Sequence, residues 1–258
     1  MRRALIGHTG FVGNTLHQQS RFTDHYNSKN FQDMAGQHYD EVVCAGIQAV
    51  KWWANQNPDE DWRGIDALLG VLATVTADRF ILISTVDIYK SPVGVDENTT
   101  LDTDGLHPYG LHRLRAEAAI RNQFDTHLIL RLPGLFGQGL KKNLIYDALT
   151  QADLSGFDAR SRFQFYNLAH LYDDITRLSG QGVSVVNLAT EPVDVAAVIQ
   201  RISGQHWTHQ TDHPPVKYDM QTVHGGLWGN TGPYICTAAT TLDEIAAFAA
   251  HWQAQQAR

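Results

Sequence analysis

Tyr109 and Arg113 stand four residues apart in a stretch of helical character, residues 108–123, so their side chains share one helix face. A cation beside a phenol favours the phenolate and draws its titration below the ordinary value of about 10. A tyrosine so placed suits acid or base work on a carbinol or carbonyl oxygen. Thr85, at the expected end of a strand, offers a hydroxyl to the same oxygen. These residues also admit a plain structural use, Tyr109 as a half-buried packing residue and Thr85 as a strand cap. A second constellation, Gly7-His8-Thr9-Gly10-Phe11-Val12-Gly13, follows a short apolar strand and opens a helix. Glycines in such a turn permit a tight bend, close backbone approach to a pyrophosphate and close helix–strand packing. The helix N-terminus then presents free N–H groups to phosphates. A dinucleotide is expected on Gly7, Thr9, Gly10, Phe11, Val12 and Gly13; the alternative is a strand–turn–helix that binds nothing.

The second strand ends in Tyr26-Asn27-Ser28-Lys29-Asn30, with no acid to bond a ribose 2′-OH as NAD sites usually have. Ser28 and Lys29 suit a 2′-phosphate instead, so NADP is expected over NAD; Lys29 as a solvated loop lysine is the plainer alternative. Lys51 follows the third strand and Asp87 the fourth; both are candidate substrate residues. Lys141, Lys142 and Asn143 stand at an expected helix start, where two lysines oppose the helix dipole and invite an anion. Arg160 and Arg162 raise the same question. Lys141, Asn143 and Arg162 are therefore candidate substrate contacts, for a phosphate or carboxylate. His209 and His213 lie i, i+4, but prolines follow and no glutamate lies between them, so no metal is expected.

These residues need a scaffold that alternates strands and helices. Apolar runs at 4–7, 41–45, 80–83, 128–132 and 183–188 read as strands, with a weaker one at 22–27. Asn57 and Pro58 offer an N-cap and first helical position, with Asp59, Glu60 and Asp61 in the first turn. Residues 91–106 read as a loop, a helix starts from Pro192, and a C-terminal helix opens at the capping box Thr241-x-x-Glu244. The alternation predicts an α/β protein: a Rossmann-type doubly wound parallel sheet with a small C-terminal substrate cap. Residues 1–138 and 166–190 are assigned to the core, and 139–165 and 191–258 to the cap, in a single folded unit.

Composition excludes several classes. Lys plus Arg number 20 against 27 Asp plus Glu, a formal net charge of −7, so a broad nucleic-acid-binding face is not expected. Two distant cysteines form no disulfide framework. The apolar start is shorter than the roughly 7–15 residues of a signal core. No run reaches the roughly 18 needed to span a bilayer. A cytoplasmic protein without a membrane partner is expected, with a homodimer left open.

The glycine spacing is GxxGxxG and resembles that of the extended short-chain dehydrogenase/reductase family, the NAD-dependent epimerase, dehydratase and reductase group. ISTVDIY at 83–89 resembles the family's SSxxVYG strand end. HPYGLHRLRAE at 107–117 resembles its PYGxSKxxxE helix, and RLPGLFGQG at 131–139 its RxxNVYGPG segment. VVNLATEPVDVAAVIQRI at 185–202 resembles the strand–helix it places over substrate. The resemblance implies Thr85, Tyr109 and Arg113 as catalytic residues. It extends the cofactor site to Ala45, Tyr109, Arg113, Pro133 and Leu135. Three departures stand out: Arg113 replaces the family lysine, Asp61 stands where many members carry Asn, and Gly134 does likewise. The implied function is an NAD(P)-dependent oxidoreductase or epimerase acting on a sugar or sugar nucleotide by hydride transfer, with Tyr109 as acid/base. A simple reductase suits the short cap better than a dehydratase. The alternative is a catalytically impaired dinucleotide-binding sensor or scaffold.

Overall fold

The computed structural model describes residues 1–256. Along the chain come β1 (Arg3–Ile6), α1 (Phe11–Gln19), β2 (Asp24–Tyr26), β3 (His38–Cys44), α2 (Lys51–Gln56), α3 (Pro58–Leu72), β4 (Thr76–Thr85), β5 (Val93–Val95), α4 (Pro108–Gln123) and β6 (His127–Leu132). Then follow β7 (Gly134–Phe136), α5 (Leu144–Leu149), β8 (Arg162–Phe163), β9 (Phe165–Asn167), α6 (Leu171–Leu178), β10 (Val185–Asn187), β11 (Val193–Asp194), α7 (Val195–Ser203), β12 (Asp219–Met220) and α8 (Ala238–Gln256).

The chain divides into two units. The first, Met1–Lys90, Thr99–Leu132 and Leu171–Val186, holds a six-stranded sheet of order β10-β6-β4-β3-β1-β2. The pairs β1–β2, β1–β3, β3–β4 and β4–β6 are parallel. Their central residues are apolar on both faces, as a sheet covered by helices on both sides requires. One face packs Ala4, Ile6, Val42, Cys44, Phe80 and Leu82 with Leu68 and Leu72 of α3 and Ile120 of α4. Leu5, Val43 and Ile81 alternate onto the other face and are equally buried. Parallel pairing brings the carboxyl ends of β1, β3 and β4 to one edge, so the turn after β1 and Thr85 at the end of β4 share it.

The second unit, Ser91–Asn98, Pro133–His170 and Asn187–Arg258, carries three short two-stranded ladders: β7 with β9, β8 with β11, and β5 with β12. Helices α5, α7 and α8 pack on one another there. Where the sequence assigned 1–138 and 166–190 to the core, the sheet-bearing unit stops at Leu132 and takes back only Leu171–Val186.

Local expectations are corrected at several ends. The C-terminal helix starts at Ala238, so Thr241 lies inside it and Glu244 bonds His170 and Asn167 rather than closing a capping box. Pro58 opens α3, but the Asn57 side chain donates back to the Trp53 carbonyl instead of capping. The loop 91–106 contains β5, and β11 occupies the start of the expected Pro192 helix. Cys44 is buried in the sheet, which pushes its thiol up to about 11.

Candidate active site

Gly7 adopts φ +87°, a conformation L side chains rarely take. A Cβ there would lie 2.4 Å from the Ala45 carbonyl oxygen, and one on Gly13 would lie 2.0 Å from the Gly7 oxygen. These two glycines therefore serve the packing of β1, α1 and the end of β3. Gly10 is different. Its backbone is extended, it is exposed, and a Cβ would meet only the Gly7 oxygen at 3.4 Å. As N-cap of α1 it makes no side-chain cap, so the first-turn N–H groups of Phe11, Val12 and Gly13 take nothing from it. The cradle fits a pyrophosphate: a Cβ at Gly10 would stand in the approach without disturbing the fold. Gly10→Val is expected to keep the wild-type Tm within a few degrees and to lose at least roughly tenfold in NADPH affinity, or about 1.4 kcal/mol. Gly13→Ala is expected to lower Tm, since forced overpacking costs about 1–3 kcal/mol. Thermal melts and dinucleotide titration separate the two; Gly10→Val binding like wild type would remove the turn from the cofactor site.

Thr9 is exposed, and Ser28 and Lys29 are exposed just after β2. The Lys29 backbone N–H donates to Asn27 Oδ1, which shapes that turn. Three imidazoles crowd beside it: the His25 ring lies 4.7 Å from His17 and 5.5 Å from His8. Burial, then His17 and His8, holds His25 below its ordinary titration.

Helix α4 opens where several elements converge. His107 caps it by accepting from Gly110 N–H, and Asn55 of α2 accepts the Tyr109 N–H at 3.0 Å. Gly110 admits no side chain, because a Cβ would lie 2.3 Å from the Asp87 carbonyl oxygen. Tyr109 is thereby buried at the sheet's carboxyl edge, within hydrogen-bonding reach of the Thr85 hydroxyl. Thr85 also accepts the Asp87 N–H at 3.1 Å, capping the short turn 86–88. Lys51 donates to Asp87 Oδ1 at 2.7 Å. The two proposed substrate residues thus meet each other in one half-exposed pair.

Arg113 is buried beneath this group. Its guanidinium carbon lies 4.0 Å from the Tyr109 ring centroid. It forms a two-pronged pair with Asp61, at 2.5 and 2.8 Å, and donates to the Gln48 and Tyr109 carbonyls. His112 joins Asp61 at 2.7 Å. The sequence placed Asp61 in a helix first turn and at a position where many family members carry Asn; its partner 52 residues away was beyond local signals. One expectation is reversed. Tyr109 is held above its ordinary titration, not below it: burial outweighs the Arg113 cation, and Asp87 and Asp61 push the same way as burial.

Other motif residues prove structural. Ser84, Arg121 and Arg131 converge on Glu117, which is wholly buried, at 2.6 to 3.0 Å. Arg131 also donates to the Tyr89 hydroxyl at 3.0 Å.

In the second unit, Asn143 is the N-cap of α5: its Oδ1 accepts from Ile145 and Tyr146, and its Nδ2 donates to the Leu135 carbonyl. Lys141 and Lys142 precede this cap, so they do not stand in the helix's first turn as expected. Arg162 pairs with Asp194 at 3.3 Å and donates to the Pro192 carbonyl, and Arg160 pairs with Asp158. Pro133, just before β7, is buried, and Leu135, within β7, is half-buried. His209 meets the Ser155 carbonyl at 2.9 Å. Among the described residues, no helix is long and apolar enough to cross a membrane.

The chain is similar in structure to MoeE5 in complex with UDP-glucose and NAD, with a TM-score of 0.75 and 15% identity over all of both chains. It is similar to RMD from Pseudomonas aeruginosa complexed with NADPH, with a TM-score of 0.75 and 18% identity over 99% of this chain and all of that one. dTDP-4-dehydrorhamnose reductase from Yersinia enterocolitica matches at 0.75 and 11% identity, over 96% of this chain and all of that one. At such identities the likeness shows a shared Rossmann-like fold. No curated protein matches the chain. The model of the NAD dependent epimerase/dehydratase family matches residues 21–155, just over half the chain and including β4, α4 and β6. With the parallel sheet, the glycine turn and the Thr85–Tyr109 edge in place, the chain belongs to the NAD dependent epimerase/dehydratase family.

Proposed function

We propose that the protein is an NADP-preferring reductase of a carbonyl on a sugar nucleotide, with Tyr109 passing a proton to or from the substrate oxygen. The observation that carries this reading is the meeting of the Tyr109 side chain, the Thr85 hydroxyl and a buried cation at the carboxyl edge that also bears the glycine turn. A dinucleotide supplies hydride at its nicotinamide carbon when bound. Gly10 and the first turn of α1 would hold its pyrophosphate, with Gly7 and Gly13 shaping the turn. Thr85 orients a substrate oxygen by hydrogen bonding, and Tyr109 moves its proton. Sugar-nucleotide chemistry is drawn from relatives: MoeE5 was seen with UDP-glucose, and another neighbour is a dTDP-4-dehydrorhamnose reductase. The Lys51–Asp87 pair borders Tyr109 and would face the substrate. Lys141, Asn143 and Arg162, in the second unit, remain candidate phosphate contacts from their place in the sequence, although Asn143 and Arg162 also have structural duties. The preferred test follows cofactor oxidation with a panel of UDP- and dTDP-linked 4-keto sugars, and NMR for inversion without net oxidation. Consumption of NADPH by a keto sugar supports a reductase; inversion alone moves the reading to an epimerase.

Cofactor choice rests on Ser28 and Lys29 and has its own test. Lys29→Ala is expected to weaken NADPH roughly tenfold, the loss of one charged hydrogen bond of about 1.5 kcal/mol, and to leave NADH within about twofold. Equal losses, or tighter wild-type binding of NADH, would show that the lysine does not read a 2′-phosphate.

A further inference from the structure

The Arg113 guanidinium has five N–H groups, and the protein itself takes four. Nη1 donates to Asp61 Oδ2 at 2.5 Å and to the Tyr109 carbonyl at 3.2 Å. Nη2 donates to Asp61 Oδ1 at 2.8 Å and to the Gln48 carbonyl. Among the described residues, nothing accepts from the buried Nε–H. The Asp61 side chain is 2% exposed and the Arg113 side chain 4%, so water screens neither. His112 holds the same carboxylate from one residue away.

We propose that Asp61 is a positioning residue: with the Gln48 carbonyl it fixes Arg113 as a charge-compensated floor under the Tyr109 ring and commits Tyr109 to giving a proton to a carbonyl oxygen. This rests on the reading of Tyr109 as the proton-handling residue. A lysine would reach past a neutral neighbour as a point charge; the planar fork of arginine is instead spent on a matching carboxylate. Burial first of all keeps the proton on the phenol, and the Asp61 carboxylate works with it against the Arg113 cation. Every charged neighbour of that phenol acts in a stated direction: Arg113 favours the phenolate, while Asp61 and Asp87 oppose it, the latter tied to Lys51. The Thr85 hydroxyl favours the phenolate by hydrogen bonding, and the His107 ring lies 6.3 Å from the Tyr109 ring. A bound reduced dinucleotide would supply the hydride and be oxidised in doing so. Tyr109 would give its phenolic proton to the substrate oxygen as that oxygen takes the C=O π pair, and would regain a proton from water.

The test reads Tyr109 directly, without substrate. Full-length protein carrying 13C at tyrosine Cζ is titrated by NMR, and the Tyr109 resonance is assigned by its loss in Tyr109→Phe. Wild type is expected to stay protonated past the ordinary value of about 10. Asp61→Asn should titrate clearly below wild type, because the cation stays while the carboxylate that opposes it is gone. Should Asp61→Asn fail to fold, Asp61→Asn/Arg113→Lys gives the same readout with a lysine cation. Asp61→Asn/Arg113→Met removes both charges and should not move downward; an equal fall there would mark a site merely loosened and overturn the proposal. Titration at or above the wild-type position in both cation-bearing variants overturns it as well. Loss of turnover in Tyr109→Phe together with that result would leave the functional reading standing and remove only this inference. Full turnover in Tyr109→Phe would remove both.

Discussion

Tyr109→Phe is expected to lower kcat/KM for the carbonyl substrate by about 10²–10⁴-fold, the usual worth of a positioned acid or base, and to leave NADPH affinity within about twofold. The substitution is unusually clean here. Phenylalanine keeps the ring 4.0 Å from the Arg113 guanidinium and its burial at the sheet edge. The Tyr109 N–H still donates to Asn55, and Gly110 still clears the Asp87 carbonyl. Only the hydroxyl and its Thr85 partner are lost. Steady-state kinetics with the sugar nucleotide found in the panel, beside a dinucleotide titration, check both halves. Unchanged turnover would mean that this hydroxyl moves no proton, and the dinucleotide-binding sensor would then become the better reading.

Glu117→Ala is expected to destabilise the protein by about 3–5 kcal/mol, the cost of stripping a buried charge of its partner. At roughly 2–4 °C per kcal/mol for a chain of this size, Tm should fall by about 6–20 °C. Glu117 is fully buried and takes both prongs of Arg131, which is itself 3% exposed, together with Ser84 and Arg121. Removing it leaves the Arg131 charge inside the protein with the Tyr89 hydroxyl as its remaining hydrogen-bond partner among the described residues. The double variant Glu117→Leu/Arg131→Met should recover much of the loss, since replacing a buried pair by apolar residues of similar volume is often neutral or stabilising. Calorimetry or chemical denaturation decides it. A melt within a few degrees of wild type for Glu117→Ala would show that the network contributes little.

Much of this arrangement is legible in the order of residues because its signals are local. The glycine turn, α4 and the buried strands each declare themselves within about fifteen residues, by spacing or by an unbroken apolar run. What escapes is long-range pairing. Asp61 looks like a helix-dipole acid from its neighbours, yet its chemistry is set by Arg113, 52 residues on. Glu41 sits in an apolar strand and is explained only by Arg3 and Arg79, which stand beside it in register on the flanking strands. The direction of the Tyr109 shift escapes for a related reason: the local cation is visible in the sequence, while burial and the distant carboxylates that outweigh it are not. Helix ends such as Thr241 mislead because a capping pattern is only four residues long and a helix that continues through it leaves the same letters.

The discontinuity of the sheet-bearing unit has a consequence for biosynthesis. The glycine turn and the Thr85–Tyr109 edge lie within the first 132 residues, but β6 borders β10, and Ile129 N–H donates to the Ser184 carbonyl at 2.8 Å. During synthesis β6 leaves the ribosome about fifty residues ahead of that partner. For that interval the nascent chain presents Leu128, Ile129, Leu130 and Leu132 on an unpaired strand edge, the kind of surface on which chains stick to one another. Helix α6, which packs on α1, arrives in the same late stretch. The sheet-bearing half is therefore encoded first and completed late, and a chaperone that shields apolar strands would act between those two moments.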